Sequence, residues 1–385
     1  MASNTLSKLI PITARANLAL RWLFYGLLAL ILLPSGAVSY TALHVIAIGF
    51  FFVAAFAAMI ASPPPLVRFS YLLALCTALA LGGWIIVQSI GFSGNPLANP
   101  IWRDAEGFYG PLAGSISVAP GDTLQGLVSA LLPFCVYLTA LLLLRSDREA
   151  LQFMRAILVV GVIIAVIGLV QFAFFPRALL FDAKRFYIGH LTAVFIYHNA
   201  AANYLGMLTI ISAGFTFNVL QHHGAASFLR FLLGAPGGMK RRDGLRVLTY
   251  GGATLLFFID LMVTKSRAGI GSSIFGLSLM FAILGFYGMR ASARATQGSY
   301  FVRRTPIWRK IARAGIVLVV VLFVGLVFAQ QAILRANIQG TTDLRFCFYP
   351  SLMRMVDDHW LVGTGFGTFR DVYPAYKNPA CGLKS

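Results

Sequence analysis

The sequence predicts an all-α polytopic membrane protein, and two observations support this fold class. Of its 385 residues, 58% are hydrophobic and only 11% are charged, whereas an ordinary soluble domain carries roughly 25% charged residues. The hydrophobic residues also come in long uninterrupted blocks, each near the roughly 20 residues that a helix needs to cross a hydrocarbon core of about 30 Å. Together they predict about nine transmembrane helices.

Polar breaks between the apolar blocks define these helices in order. The first follows Lys8, Arg15 and Arg21, and because its apolar run has no small-residue cleavage site, it is a retained helix rather than a signal peptide. The second to fifth are plain apolar blocks, and the sixth opens on a polar stretch. Only Lys265-Ser266-Arg267 separates the seventh from the eighth, so this pair is either a tight hairpin or one longer helix. The predicted ranges are 19–36, 41–62, 69–91, 123–144, 154–175, 199–219, 247–265, 268–289 and 313–333.

The basic residues predict the orientation. If the N-terminus is cytoplasmic, the cytoplasmic segments hold nineteen of the 31 basic residues, and the opposite loops hold only six. This is the asymmetry of the positive-inside rule. We therefore expect residues 1–333 to form a transmembrane domain in a bacterial inner membrane, and residues 334–385 to form a periplasmic loop. The net charge of +19 then serves topology and contact with anionic lipid headgroups, not nucleic-acid binding.

Basic residues on the external side oppose this topology signal and need another explanation. Lys265 and Arg267 lie at the external end of the seventh helix, and Arg177, Lys184 and Arg185 precede the sixth. A guanidinium binds phosphate oxygens bidentately, which favours a cationic mouth for a phosphate-bearing lipid. Long side chains that extend to the membrane interface explain the same residues equally well.

The sixth helix opens on His198, Asn199 and Asn203. The two asparagines are four residues apart and therefore lie on one face. An N-cap role accounts for one asparagine, so the other is a candidate for binding. Asp260 lies inside the seventh helix, where an ionised carboxylate is costly, and an interhelical hydrogen bond is the favoured explanation for it.

Several other motifs predict no chemistry. The glycine-rich stretch from Gly363 to Phe369 lacks the βαβ context of a dinucleotide loop, and the His222-His223 pair has no further ligand at metal spacing. No cofactor or metal is therefore predicted. Cys347 and Cys381 both lie in the tail, where a disulfide and two free thiols are both open.

Three stretches together resemble the O-antigen ligase and O-antigen polymerase superfamily of bacterial envelope glycan enzymes. They are the asparagine segment from Tyr197 to Tyr204, the stretch from Lys265 to Gly269, and the segment from Arg345 to Phe369. The second is similar to the family's Ser-Arg-Gly/Ala element at an external helix end. The third is similar to its arginine followed by a helix and a glycine turn. The resemblance runs from about residue 150 to the end.

The resemblance implies metal-independent glycosyl transfer at the periplasmic face, from an undecaprenyl diphosphate carrier to an acceptor glycan or lipid A core. The resemblance also implies that Arg267 and Arg345 stabilise the diphosphate leaving group, because fixed cations in a low-dielectric cleft stabilise negative charge that develops there. Arg185, Lys265, His198, Asn199 and Asn203 are the expected substrate-binding residues. The family's later external histidine, its general base, has no counterpart before Ser385. The chain is therefore expected to be incomplete, either a truncated gene product or a fragment, with residues 334–385 forming only part of the periplasmic loop and with little or no transfer activity.

Two other classes compete with this expectation. A secondary transporter of a small anionic solute would show charges near the membrane midplane, and Asp260 supports it. A non-catalytic scaffold or lipid-binding partner is the third class. Among envelope enzymes, the motifs do not distinguish ligation, polymerisation and protein O-glycosylation.

Overall fold

The computed structural model describes residues 2–33, 40–180, 182–295 and 344–379, and within them the side chains of residues 2–14, 40, 182, 285–295 and 344–347 are not described. These ranges are almost entirely helical, apart from one two-stranded hairpin of β1 (Ala178–Leu179) and β2 (Asp182–Ala183). The helices are α1 (Ala2–Leu30), α2 (Tyr40–Ile60), α3 (Arg68–Ser89), α4 (Ile101–Tyr109), α5 (Pro120–Leu143), α6 (Asp147–Phe174), α7 (His198–His223), α8 (Ala225–Leu232), α9 (Arg241–Val263), α10 (Arg267–Ala295), α11 (Leu344–His359) and α12 (Phe369–Tyr376).

Seven of the described helices are long and apolar enough to cross a membrane: α2, α3 with the turn before it, α5, α6, α7, α9 and α10. This confirms a helical, multi-pass membrane protein. The predicted helix over 313–333 lies outside the described residues, so the count of nine and the orientation stay predictions. The first helix begins at Ala2, well before the predicted residue 19. The short helices α4, α8, α11 and α12 had no counterpart among the predicted ranges.

The chain divides into two compact units, and the first comprises residues 1–31, 37–150 and 335–385. Within it α5 packs against both α2 and α3, and α1 packs against α2. Phe24 and Phe50 meet edge to face in the core with their ring centroids 5.9 Å apart, a favoured aromatic geometry. The described tail residues belong to this unit. The predicted division at residue 333 stays a prediction.

The second unit comprises residues 32–36 and 151–334. Its described part is built around α7, which packs against α9 and α10. Leu205, Leu208, Phe257 and Leu261 are among its fully buried core side chains. Small residues let α7 and α10 approach closely, because a Cβ added at Gly206 would meet the Ser273 side chain. Close packing over small residues is a common device of membrane helices.

A three-residue turn joins α9 to α10. The helix α9 ends at Val263 and α10 begins at Arg267, so the tight connection is present and a single continuous helix is not. Lys265 has a φ of +57°, in the left-handed region that reverses a chain quickly. Ser266 caps α10, since its Oγ accepts from Gly269 N at 3.3 Å.

The described cysteines, Cys76 and Cys135, are both free. Cys381 and the side chain of Cys347 lie outside the description. The question of a disulfide between them therefore stays open.

Candidate functional site

The turn between α9 and α10 organises a polar site in the second unit. The backbone oxygen of Thr264 lies 3.1 Å from His190 Nδ1 and 3.1 Å from His198 Nδ1. His198 is the first residue of α7, whereas His190 lies in the loop before it, and the two ring centroids are 4.9 Å apart. A carbonyl only accepts hydrogen bonds, so both imidazoles carry a proton on Nδ1, and in its neutral form each ring has an acceptor at Nε2.

Two lysines hold the loop that carries His190. Lys184 Nζ donates to the His190 carbonyl at 2.6 Å, and Lys265 Nζ donates to the Gly189 carbonyl at 3.1 Å. Burial lowers the pKa of the Lys184 amino group, because a low-dielectric environment disfavours the charged form. Lys184 and Lys265 therefore mainly position the loop that carries His190, a role that the sequence did not indicate.

Tyr187 covers the histidine pair. Its ring centroid lies 4.5 Å from that of His198 and 6.1 Å from that of His190. Tyr187 has a φ of +57°, and a bulky residue held in the left-handed region is a feature that clusters at functional sites. The aromatic ring, two imidazoles and a backbone carbonyl therefore form one rigid group, which we call the histidine site.

Asn199 connects α7 to the turn. Its Oδ1 accepts a hydrogen bond from Ser266 Oγ at 2.8 Å. The N-cap of α7 is Tyr197, with no side-chain cap hydrogen bond, so the N-cap role considered for one asparagine is wrong. The hydrogen bond brings two of the three motifs noticed in the sequence into direct contact.

The other predicted site residues of the second unit are exposed. Arg267, Arg185 and Asn203 are all exposed, and none of their side chains makes a hydrogen bond or salt bridge to any part of the chain that the structure describes. Their polar groups are available for a ligand. Arg345 lies in α11 of the first unit, and its side chain is outside the description.

The histidine site could take part in proton transfer, because an imidazole with a free Nε2 can accept a proton. The exposed guanidinium groups of Arg267 and Arg185 are not part of this group, and they can bind phosphate oxygens with defined geometry. His190 was not predicted as a site residue. Its contact with Thr264 spans 74 positions, and no local pattern signals a contact of that range.

A second polar arrangement lies within the first unit, where the turn from Gly363 to Thr368 docks on Gln88. The Gln88 side chain donates from Nε2 to the Val362 carbonyl at 2.9 Å and accepts at Oε1 from Phe366 N at 3.1 Å. Gly363, Gly365 and Gly367 all have positive φ. These glycines let the turn pack closely within the first unit, since a Cβ added at Gly365 would approach Ser117 and Thr123.

Gln88 also helps to line a cleft of about 460 Å³ in the first unit. The wall includes Trp84, Val356 and Trp360, so most of it is apolar. His359, on the same wall, has its Nε2 3.1 Å from Tyr376 Oη, and Tyr376 Oη donates to Asp358 at 2.9 Å. Burial, followed by the hydrogen bond to the Asp358 carboxylate, raises the pKa of Tyr376.

The surroundings of Asp260 differ from those that the sequence predicted. It is fully buried in α9, yet neither carboxylate oxygen has a hydrogen-bond partner among the described residues. The interhelical hydrogen bond favoured from the sequence is therefore not found there. A buried, unpaired acid in a membrane helix is costly and marks a functional candidate.

Comparison with known proteins adds no assignment: no family model, curated protein or solved structure matches this chain. The inference of function therefore rests on the sites themselves.

Proposed function

We propose that this protein is a membrane glycosyltransferase of the O-antigen ligase or polymerase type, acting on undecaprenyl-diphosphate-linked glycan at the periplasmic face of a bacterial inner membrane. The observation that carries the proposal is the hydrogen bond between Ser266 and Asn199. It joins two of the motifs that resemble this family, and Arg267 is exposed next to it. The positive-inside distribution of charge favours the periplasm for this side.

In the proposed reaction, the protein has to stabilise the negative charge that develops on the diphosphate leaving group. As the glycosidic bond to the diphosphate breaks, negative charge develops on the leaving oxygen, and a cation fixed nearby stabilises the transition state. Arg267, at the start of α10, supplies that cation in the second unit, and Arg185 is exposed in the loop that also carries His190. Arg345 stays a predicted contributor. The acceptor is a glycan hydroxyl, either of a growing polysaccharide or of lipid A core.

Binding of a diphosphate lipid tests the proposal directly. The purified chain is titrated with an undecaprenyl diphosphate analogue, and the dissociation constant is compared with those of Arg267→Ala and Arg345→Ala. Loss of one charge-assisted contact costs roughly 1.5–3 kcal/mol, so each variant is expected to bind about tenfold or more weakly.

Arg148→Ala is the matched control, since Arg148 is an exposed arginine in the first turn of α6. The control should bind like wild type. Unchanged affinity in both site variants, or an equal loss in the control, contradicts the diphosphate site.

A second candidate function is secondary transport of a small anionic solute, and Asp260 favours it. A buried carboxylate without a described partner suits a group that binds and releases a proton during transport. Uptake of labelled inorganic phosphate into proteoliposomes is the test. Uptake by wild type that is lost in Asp260→Asn supports this candidate, whereas no uptake by wild type contradicts the hypothesis of phosphate transport.

A further inference from the structure

The segment between α7 and α9 combines an exposed leucine ridge with a run of cations. After Gly224, with a φ of +80°, the chain turns away from α7 and enters the short helix α8. Leu229, Leu232 and Leu233 occupy one face at helical spacing, and they are 57%, 51% and 73% exposed. Such exposure of three neighbouring leucines requires an apolar environment.

The opposite face of α8 is fixed to the protein. Phe231 lies against Gly238 and Gly244, where an added Cβ would overlap its atoms, and Phe228 stacks on Phe231. The backbone of the buried Met239 donates to the Ser227 carbonyl at 3.1 Å. The helix is therefore held rigidly, and the leucine ridge points outward because the phenylalanines use the inner face.

The charges around the ridge are unbalanced. Asp243 is the single acid between residues 221 and 246, and it is already engaged by His223 at 3.3 Å and by Arg246 at 3.0 Å. This leaves four exposed cations that form no salt bridge within the described part of the chain: Arg230, Lys240, Arg241 and Arg242. The segment has spare positive charge beside an apolar ridge.

The neighbouring helices place this segment at the membrane boundary. Both α7 and α9 are long enough to span a bilayer and pack side by side, so the end of α7 and the start of α9 lie on the same membrane face. A short amphipathic helix between them lies in the interface, with its leucines toward the acyl chains and its cations at headgroup level. Nucleic acid would use the cations but not the leucines.

We propose that α8 and the following Lys240-Arg241-Arg242 form a binding site for anionic phospholipid, in which the leucine ridge contacts acyl chains and the cations bind the phosphate. The site is separate from the histidine site and does not depend on the proposed function. Guanidinium groups supply bidentate contacts to phosphate oxygens, and phosphatidylglycerol carries both the phosphate and the chains that the surface fits.

Thermal unfolding of the purified full chain in detergent tests the site, with phosphatidylglycerol, phosphatidylcholine or inorganic phosphate added. Phosphatidylglycerol is expected to raise the unfolding midpoint of wild type, because a ligand of the folded state stabilises it, and the other two are expected to have little effect. Equal stabilisation by phosphatidylcholine overturns the charge requirement. Equal stabilisation by phosphate alone identifies a free-anion site and overturns the lipid proposal.

Three variants separate the contributions. The triple variant Lys240→Gln, Arg241→Gln, Arg242→Gln and the pair Leu229→Ser, Leu232→Ser should each require about tenfold more phosphatidylglycerol for the same shift, from the loss of charged or apolar contacts. A triple variant of exposed arginines elsewhere, Arg103→Gln, Arg145→Gln and Arg148→Gln, should respond like wild type. Wild-type lipid dependence in either test variant, or an equal loss in the control, overturns the proposal.

A second measurement does not depend on the folding of those variants. A spin label at Leu233→Cys, in protein whose native cysteines are replaced, should be more accessible to oxygen than to a water-soluble nickel complex in phosphatidylglycerol bilayers. A label at Asp147→Cys should show the reverse. Preferential nickel access at Leu233 places the ridge in water and overturns the proposal.

Discussion

The Thr264 carbonyl shows how one backbone atom can arrange a site. A carbonyl oxygen has two lone pairs, and here they serve two imidazoles that come from different segments. This is possible because Lys265 ends α9 in a left-handed conformation, which leaves the last carbonyls of the helix free of intrahelical partners. The tautomer of both histidines follows from that geometry, and so does the direction of their free nitrogens.

At the residue scale, the hydrogen bond between Ser266 and Asn199 should be measurable as a coupling energy. Ser266→Ala and Asn199→Ala should each destabilise the protein, and the double variant should lose less than their sum by about 1 kcal/mol. The measurement is unfolding by a denaturing detergent. Asn203→Ala serves as the control, because Asn203 is exposed. Additive losses from the pair would contradict a direct bond.

Lys184 gives a pH prediction at the same scale. Burial lowers its pKa below the ordinary lysine value of 10.5, so the neutral, reactive amine is present at lower pH than in an unfolded chain. Acetylation followed by mass spectrometry should show Lys184 labelled at a lower pH in the folded protein than after denaturation. The folded state binds this proton less tightly, so stability rises as pH increases toward 10.5. A labelling midpoint that stays the same or rises on folding refutes the burial effect.

At the scale of elements, hydropathy identifies helices but not their partners. The apolar blocks near residues 41–62, 69–91 and 123–144 correspond closely to α2, α3 and α5, since length and composition alone determine whether a segment can span a bilayer. Nothing in the sequence indicated that α5 packs against α2 and α3, because a leucine that faces lipid cannot be distinguished by its residue type from one that faces protein. The short helices were missed because segments of 8 to 16 residues are shorter than a hydropathy window for a membrane span.

Gly206 tests the contact between α7 and α10. An added Cβ would meet Ser273, so Gly206→Ala should cost about 1–3 kcal/mol through overpacking. Gly252 lies in α9 with nothing within 4 Å of an added Cβ, and Gly252→Ala should be neutral or stabilise by up to about 1 kcal/mol, since alanine favours helix. Thermal unfolding of both variants measures the difference. Similar midpoints for the two would show that α7 and α10 are not closely packed.

Gly365 tests the glycine turn of the first unit. Gly365 has a φ of +106°, and an added Cβ would approach Ser117 Cβ and Thr123 Oγ1, each at 2.7 Å. Gly94 shares a positive φ, +75°, but has open space around it. Gly94→Ala should therefore cost about 1–2 kcal/mol for the left-handed backbone alone, and Gly365→Ala should cost clearly more. Equal losses in thermal unfolding would mean that the turn does not dock closely.

At the scale of the whole molecule, the sequence predicted the class of protein well and the site only in part. The lipid bilayer dictates both the apolar composition and the length of the hydrophobic blocks, because a spanning segment must be apolar and must satisfy its backbone hydrogen bonds internally. Both quantities can be measured in the sequence, so the multi-pass helical architecture could be predicted. Arg267 and Asn199 were noticed in the sequence because they break local rules of charge and polarity, and their role in binding stays a prediction. His190, Thr264 and Gln88 were not noticed, because their contacts join distant segments or use backbone atoms, which carry no residue-type signal.

The orientation of the molecule is the last prediction, and four single cysteines decide it. In protein freed of its native cysteines, Arg103→Cys and Arg177→Cys should react with a membrane-impermeant maleimide from outside intact cells, since both lie on the basic-poor side. Arg148→Cys and Arg242→Cys should react only after the membrane is permeabilised, because the positive-inside rule predicts that the first turns of α6 and α9 lie in the cytoplasm. All four residues are exposed, so burial does not confound the comparison. The reverse pattern would place the histidine site in the cytoplasm and remove the periplasmic glycan donor from reach, whereas the anionic-lipid site at α8 would remain possible on either face.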